Sequence, residues 1–361
     1  MDVAYSPAIN PAESTRAIRR LLVVRLSAMG DVLHAVPAVA ALRLAMPGVR
    51  LGWVVEERWT DLVRCAAVHN GSALKAIVDD VHAVNLQKWR HSLASAATWR
   101  QIHSAISELR SCAYDVAIDF QGAARSALVA RLSRAQSIYG FAEPRENVAS
   151  MFYTTSVLAQ EKHVIAQNLA LASSVAQRRL HAPRVEFISK AGPGKLSMTC
   201  APGYVILNPG AGWGAKQWPS ERYGEVARRL ASEFQLRSLI NTGPGEDDLI
   251  RAAESASGGA AQPISCSPLE LIEIVKGARL FIGGDTGPMH LAAAMGVPVV
   301  AIFGPTDPAR TGPFGTRSIL LRNPGSRTTR SHEGAPDAGM LTITTQDVVH
   351  AAIQLLRETR A

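Results

Sequence analysis

Apolar runs of strand length alternate with helical patterns along most of the chain. That alternation restricts the fold more than any single motif. In the first half the runs are LLVVRL (21–26), LGWVVE (51–56), VHAVNL (81–86), DVAIDF (115–120) and SIYGF (137–141). Helical patterns fall near 32–46, 93–110, 123–133 and 163–179. Strands apolar on both faces and separated by helices belong to a parallel sheet covered on both sides. The stretch HAPRVEFISKAGPGKLSMTCAPG (181–203) is rich in Pro and Gly and breaks the rhythm, which marks a linker. Alternation restarts with YVILN (204–208), LRSLIN (236–241), RLFIGG (279–284), VPVVAIFG (297–304) and SILLR (318–322).

An α/β protein of two doubly wound domains facing across a cleft follows. The expected boundaries are a disordered tail at 1–15, a first domain at 16–185 and a linker at 186–203. A second domain at 204–344 follows, then a terminal helix at 345–361 that packs back on the first domain. The 361 residues suffice for two cores of ordinary size, and a composition 47% hydrophobic and 19% charged excludes a disordered chain.

No apolar run reaches the ~18 residues that a membrane span needs, and the opening segment lacks the basic-then-apolar order of a secretory leader. The four cysteines (Cys65, Cys112, Cys200, Cys266) are scattered and suit a reducing compartment, so a cytoplasmic location is expected. The net charge of +8 is uneven. Residues 1–180 carry 20 Lys and Arg against 14 Asp and Glu, and residues 181–361 carry 18 against 16. A basic first half calls for an anionic partner there. Without a Lys/Arg run or an aromatic stripe, nucleic acid is not expected to be that partner.

Two strand–glycine–helix junctions carry the chemistry. The first, RLSAMGDVLHAVPAV (25–39), has the layout that usually receives a phosphate, yet Asp31 directly after Gly30 would repel one. The carboxylate is either a helix cap or is reserved for chemistry. In the second, FIGGDTGPMHLAAAMGVPVVAIFGPTDP (281–308), Gly283 and Gly284 end a buried strand and Asp285, Thr286 and Gly287 form a turn. Pro288 then opens a helix whose N-terminus favours an anion, with the Thr286 hydroxyl and His290 at the same spot. Here too the acid, Asp285, could simply be the cap.

The loop NPGAGWGAKQWPSERY (208–223) is neither a P-loop nor a dinucleotide fingerprint, but it brings Gly210 and Lys216 to the carboxyl edge of a sheet. In NTGPGEDD (241–248), Glu246 and Asp247 either meet sugar hydroxyls or stabilise a helix start. Ser267, Pro268 and Glu270 form a capping box. The segment 322–340 has no apolar period and is expected to be a mobile loop. No D-x-D, HExxH, Cys/His cluster or G-x-S-x-G stands in the chain, so no metal or other cofactor is expected.

Taken together, SAMGDVLHAVPAVAALRLAMPG with WVVEE, DFQGAARSALVARL, and GGDTGPMHLAAAMGVPVVAIFGPTDP resemble the heptosyltransferases of lipopolysaccharide core assembly, glycosyltransferase family 9. The likeness spans about residues 20–320 and is nearest to the heptosyltransferase I branch. It implies a GT-B fold of two Rossmann-like domains. It also implies metal-free, inverting transfer of heptose from ADP-heptose to a Kdo sugar on lipid A, at the cytoplasmic face of the inner membrane.

By resemblance Asp31 is the catalytic base and Lys216 lies near the donor diphosphate. Thr286, Gly287 and His290 line the phosphate site, Asp285 holds sugar or loop, and Glu246 or Asp247 meets the ribose. Gly30 leaves room for the acceptor. Lys88, Arg90, Gln121, Arg125 and Arg145 stand where the family gathers acceptor contacts, chiefly cations for carboxylates and phosphates. The alternatives are a member with a different glycan or protein acceptor or another donor, a non-catalytic nucleotide-sugar-binding module, or a nucleotide-sugar epimerase.

Overall fold

The computed structural model describes residues 17–189, 203–329 and 334–358. The expected tail, most of the linker and residues 330–333 lie outside them. The first domain holds strands β1 (Arg20–Val24), β2 (Arg50–Glu56), β3 (Ala66–Asn70), β4 (Ala73–Ala76), β5 (Asp80–Val84), β6 (Val116–Asp119), β7 (Ser137–Phe141), β8 (Thr155–Val157) and β9 (Val185–Phe187). Its helices are α1 (Met29–Ala45), α2 (Thr60–Cys65), α3 (Leu86–His91), α4 (Ala96–Ser111), α5 (Ala124–Leu132) and α6 (Val164–Ala176). The second domain holds β10 (Tyr204–Asn208), β11 (Ser238–Thr242), β12 (Ala261–Ser265), β13 (Ala278–Gly284), β14 (Val299–Phe303) and β15 (Ser318–Arg322). Its helices are α7 (Ser220–Phe234), α8 (Asp247–Ser257), α9 (Pro268–Gly277), α10 (Gly287–Ala294), α11 (Pro308–Thr311), α12 (Ala338–Thr342) and α13 (Thr345–Glu358).

Each domain is built on a six-stranded parallel sheet, ordered β5-β2-β1-β6-β7-β8 and β12-β11-β10-β13-β14-β15. Both orders reverse beside the first strand, between β1 and β6 and between β10 and β13, and ligands bind at such switch points. The four strands bordering them end in the segments already singled out: Arg25–Asp31, Gln121–Gly122, Asn208–Lys216 and Gly284–Asp285.

The central strands earn their place by being apolar on both faces. Leu21, Leu22, Val23 and Val24 are all fully buried. Helix α1 is buried almost all round, as a helix apolar on every side must be. Its one buried cation, Arg43, is satisfied by Asp79 at 2.6 Å and by the Val49 and Ile77 carbonyls at 3.1 and 3.3 Å. The expected capping box at α9 is present, with Glu270 N donating to Ser267 Oγ at 3.3 Å and Ser267 N donating to Glu270 Oε2 at 2.8 Å.

Three expectations need correcting. The last helix, α13, does not pack back on the first domain. Val348, Val349, Ala352, Leu355 and Leu356 join Val205, Leu207 and Ile282 of the second domain in one buried cluster. The apolar spacing that made 345–358 amphipathic could not say which sheet it would cover. The 322–340 segment, over its described residues, is built rather than loose. Asp337 caps α12 by accepting from Met340 N at 3.2 Å, it also accepts from Ser326 Oγ at 2.7 Å, and Met340 is fully buried. Finally, β3, β4 and β9 form a small antiparallel sheet that the alternation of runs did not announce.

The domains are not separate bodies joined by a string. Helix α1 packs against α10, and one buried cluster runs from Leu21, Val36 and Val39 to Phe281, Met289 and Leu291.

Candidate active site

The site forms where the first turns of α1 and α10 meet. Gly30 is not a turn residue, as the sequence suggested, but lies in the first turn of α1. It is glycine because of the other domain: a Cβ at Gly30 would stand 2.7 Å from His290 Cδ2. A Cβ at Gly287 of α10 would likewise stand 2.7 Å from the Met29 side chain. Neither clash yields cheaply: His290 is held on both ring nitrogens, and the nearest Met29 atoms include its Cβ, which the α1 backbone fixes. Gly30→Ala and Gly287→Ala are each expected to cost about 1–3 kcal/mol of overpacking. Melting temperatures of the two variants check this, and an unchanged value in either would show that the two helices can part there without cost.

Asp31 is the third residue of α1. Its Oδ2 accepts from Ala28 N at 3.3 Å, so the capping reading holds in part. Its Oδ1 pairs with Arg25 Nη2 at 2.8 Å. Arg25 is almost wholly buried, and its other Nη donates to the Phe120 carbonyl. The Asp31 side chain keeps 36% of its surface in solvent. A carboxylate fixed on one oxygen by a buried guanidinium, yet open to the cleft, is oriented rather than consumed by its role as a cap.

Around it lie some of the expected acceptor residues. Arg125 Nη2 is 3.5 Å from Ser27 Oγ in the turn leading to Asp31. Arg145 is exposed, and its backbone N would lie 3.0 Å from a Cβ at Gly122. Lys88 and Arg90 are exposed on α3. Gln121 is buried, and its Oε1 accepts from Leu26 N at 2.9 Å, which braces the loop that carries Asp31, while its Nε2 makes no hydrogen bond. Sequence reasoning passed over Glu56, at the end of β2. Burial pushes its carboxyl above the ordinary value, while the nearby Arg58 and Arg125 pull the other way.

On the second domain Thr286 is the N-cap residue of α10 and Asp285 is not. Asp285 instead points to Lys216, with Oδ2 2.8 Å from Nζ. Its Oδ1 lies 3.1 Å from His290 Nε2, and Thr311 Oγ1 donates to Oδ2 at 3.3 Å. Burial alone would raise the Asp285 carboxyl. The His290 hydrogen bond and the Lys216 charge overcome that and hold it well below the usual carboxylate range. Lys216 also lies 4.3 Å from the Trp213 ring centroid. The N–H groups of Gly287 and Met289 in the first turn of α10 are left free by helix geometry, beside the Thr286 hydroxyl.

Of the two acids left open in 241–248, Glu246 folds back between the loops that carry Gly243 and Gly210. It accepts from Gly243 N at 2.6 Å, and it fills the space over Gly210, where a Cβ would stand 1.9 Å from its Oε1. Asp247 is exposed at the start of α8. Among the described residues, no group of three or more His, Cys, Asp or Glu side chains is placed to hold a metal ion.

The profile of glycosyltransferase family 9 (heptosyltransferase) matches residues 102–337. The chain belongs to that family. Glycosyltransferase family 9 members with whole-length similarity include Lipopolysaccharide heptosyltransferase 1 of Escherichia coli O18:K1:H7, 30% identical over 85% of this chain and 92% of its own. That of Pseudomonas aeruginosa is 29% identical over 84% of this chain and 83% of its own. The solved structure of the E. coli heptosyltransferase WaaC with ADP-2-deoxy-2-fluoro heptose shares the fold, with a TM-score of 0.71 at 24% identity over 95% of this chain and all of that one. The protein is thus a glycosyltransferase of GT-B architecture.

Proposed function

We propose that the protein transfers heptose from ADP-heptose to a Kdo sugar of the lipopolysaccharide inner core, inverting the anomeric centre without a metal ion. The observation that carries this reading is the meeting of α1 and α10. It sets an open, oriented carboxylate on the first domain beside a cation and a helix N-terminus on the second.

Asp31 accepts the proton of the acceptor hydroxyl. The freed oxygen forms a bond to the anomeric carbon as the bond from that carbon to the diphosphate oxygen breaks. ADP departs with the electron pair, and its new charge meets Lys216, the Thr286 hydroxyl and the free N–H groups of α10. Approach of the acceptor from the face opposite the diphosphate gives inversion.

Glu246 is assigned to the nucleotide side through its place over Gly210. The exposed Lys88, Arg90, Arg125 and Arg145 are assigned to acceptor carboxylates and phosphates. They suit a lipid-linked anionic acceptor met at the cytoplasmic membrane surface. Contact through these surface cations is the proposed mode; among the described residues no helix is long and apolar enough to cross a membrane.

Calorimetric titration with ADP and with UDP, each with and without Mg²⁺, tests the donor side. ADP binding that ignores the metal, with UDP at least ~10-fold weaker (about 1.4 kcal/mol), is the expected result. Preference for UDP or strict Mg²⁺ dependence would remove the donor assignment.

A further inference from the structure

The leaving-group lysine of the second domain is tied by an unbroken chain of side chains to the helix that carries the base in the first. Lys216 Nζ meets Asp285 Oδ2 at 2.8 Å, Asp285 Oδ1 meets His290 Nε2 at 3.1 Å, and His290 Nδ1 meets His34 Nε2 at 3.1 Å. His34 lies one turn beyond Asp31 on α1, and Asn168 Nδ2 of α6 donates to its carbonyl at 2.9 Å. All four side chains are 12% exposed or less.

Asp285 is ionised, so His290 donates to it from Nε2. In the order that leaves no buried N–H unpaired, His290 Nδ1 accepts the Nε2 proton of His34. That leaves His34 Nδ1 as a lone pair, and this atom is indeed buried without a partner. An unpaired acceptor is a cheaper orphan than an unpaired N–H. Burial above all holds the His34 imidazole well below its ordinary value, which keeps it neutral.

We propose that His34 is a positioning residue for the departing diphosphate: by fixing His290 and through it Asp285, it sets Lys216 only when the first domain's base helix is seated against the second. His34 touches neither substrate. It makes the placement of the leaving-group cation depend on the placement of the base, so that both halves of the displacement are assembled together. The assignment rests on the proposed roles of Asp31 and Lys216.

Two substitutions of matched length separate donation from packing. His34→Gln keeps an N–H₂ to offer His290, and His34→Met fills the space without one. In the full chain, assayed with ADP-heptose and Kdo-lipid A, His34→Met is expected to lower kcat about 10-fold or more. The donor KM should stay within about threefold, and His34→Gln should recover most of the rate. In a Lys216→Ala background the His34→Met effect should shrink to about twofold or less, because the chain no longer ends on anything. Wild-type kcat in His34→Met overturns the proposal, and so does an undiminished His34→Met effect in the Lys216→Ala background, which would mark ordinary packing. If Asp31→Asn and Lys216→Ala are themselves active, the functional reading fails and takes this inference with it. If both are inactive while His34→Met is normal, this inference alone fails.

Discussion

Asp31→Asn is expected to lower transfer by roughly 10²–10⁴-fold, the range that a positioned general base contributes. Asparagine is the informative replacement. Its Oδ1 can still accept from Arg25, and only the long 3.3 Å contact with Ala28 N is given up, so the first turn of α1 should survive. Asp31→Ala would remove the carboxylate partner of the buried Arg25, leaving that guanidinium only the Phe120 carbonyl. A loss of activity in that variant would not distinguish chemistry from misfolding. ADP affinity in Asp31→Asn should stay within about threefold of wild type, since the base acts on the acceptor. Both quantities are read on one preparation, by product formation and by calorimetry. Near wild-type turnover would show that Asp31 is only a cap.

Lys216→Ala should follow closely. A preorganised charge aimed at a developing anion in a poorly hydrated site is worth about 10²–10³ in kcat. Lys216 meets that description: its side chain is 12% exposed, and its ammonium is fixed by Asp285 and by the face of Trp213. The loss should fall mainly on kcat. The charge on the departing diphosphate grows in the transition state, and the Thr286 and α10 groups remain to hold the ground state. Lys216→Arg should recover little, because a planar fork cannot reproduce the point contact at Asp285 Oδ2 within the same buried space. Equal falls in donor affinity and kcat/KM, with kcat unchanged, would make Lys216 a simple binding residue.

Much of this was legible in the sequence because the signals are local. Apolar runs named ten of the twelve strands of the two main sheets. The glycine junctions named Asp31, Lys216 and Asp285. The missing strands, β8 and β12, are a three-residue edge and a run broken by Pro263, neither of which looks apolar. What stayed hidden depends on distant partners. His34 sits in the apolar stretch DVLHAVPAV and reads there as a core histidine. Its meaning comes from His290, 256 positions later. Arg25 follows a buried strand and acquires its role from Asp31 and from the carbonyl of Phe120, 95 positions away. Gly30 read as a flexible turn, whereas the reason for glycine is a ring from the other domain. Gln121 also gains from a distant partner: its Oε1 braces Leu26, 95 positions earlier, which residue type alone cannot reveal.

In the proposed mechanism one cleft joins a donor sugar nucleotide to an acceptor hydroxyl through Asp31. The most direct measurement follows ADP release from ADP-heptose by the wild-type and Asp31→Asn proteins, with and without Kdo-lipid A, while mass spectrometry follows the acceptor. ADP release is expected from the wild-type protein only when acceptor is present, matched one-for-one by heptose on the acceptor, and almost none is expected from Asp31→Asn. ADP release independent of acceptor, or heptosylation that survives Asp31→Asn, would contradict that mechanism.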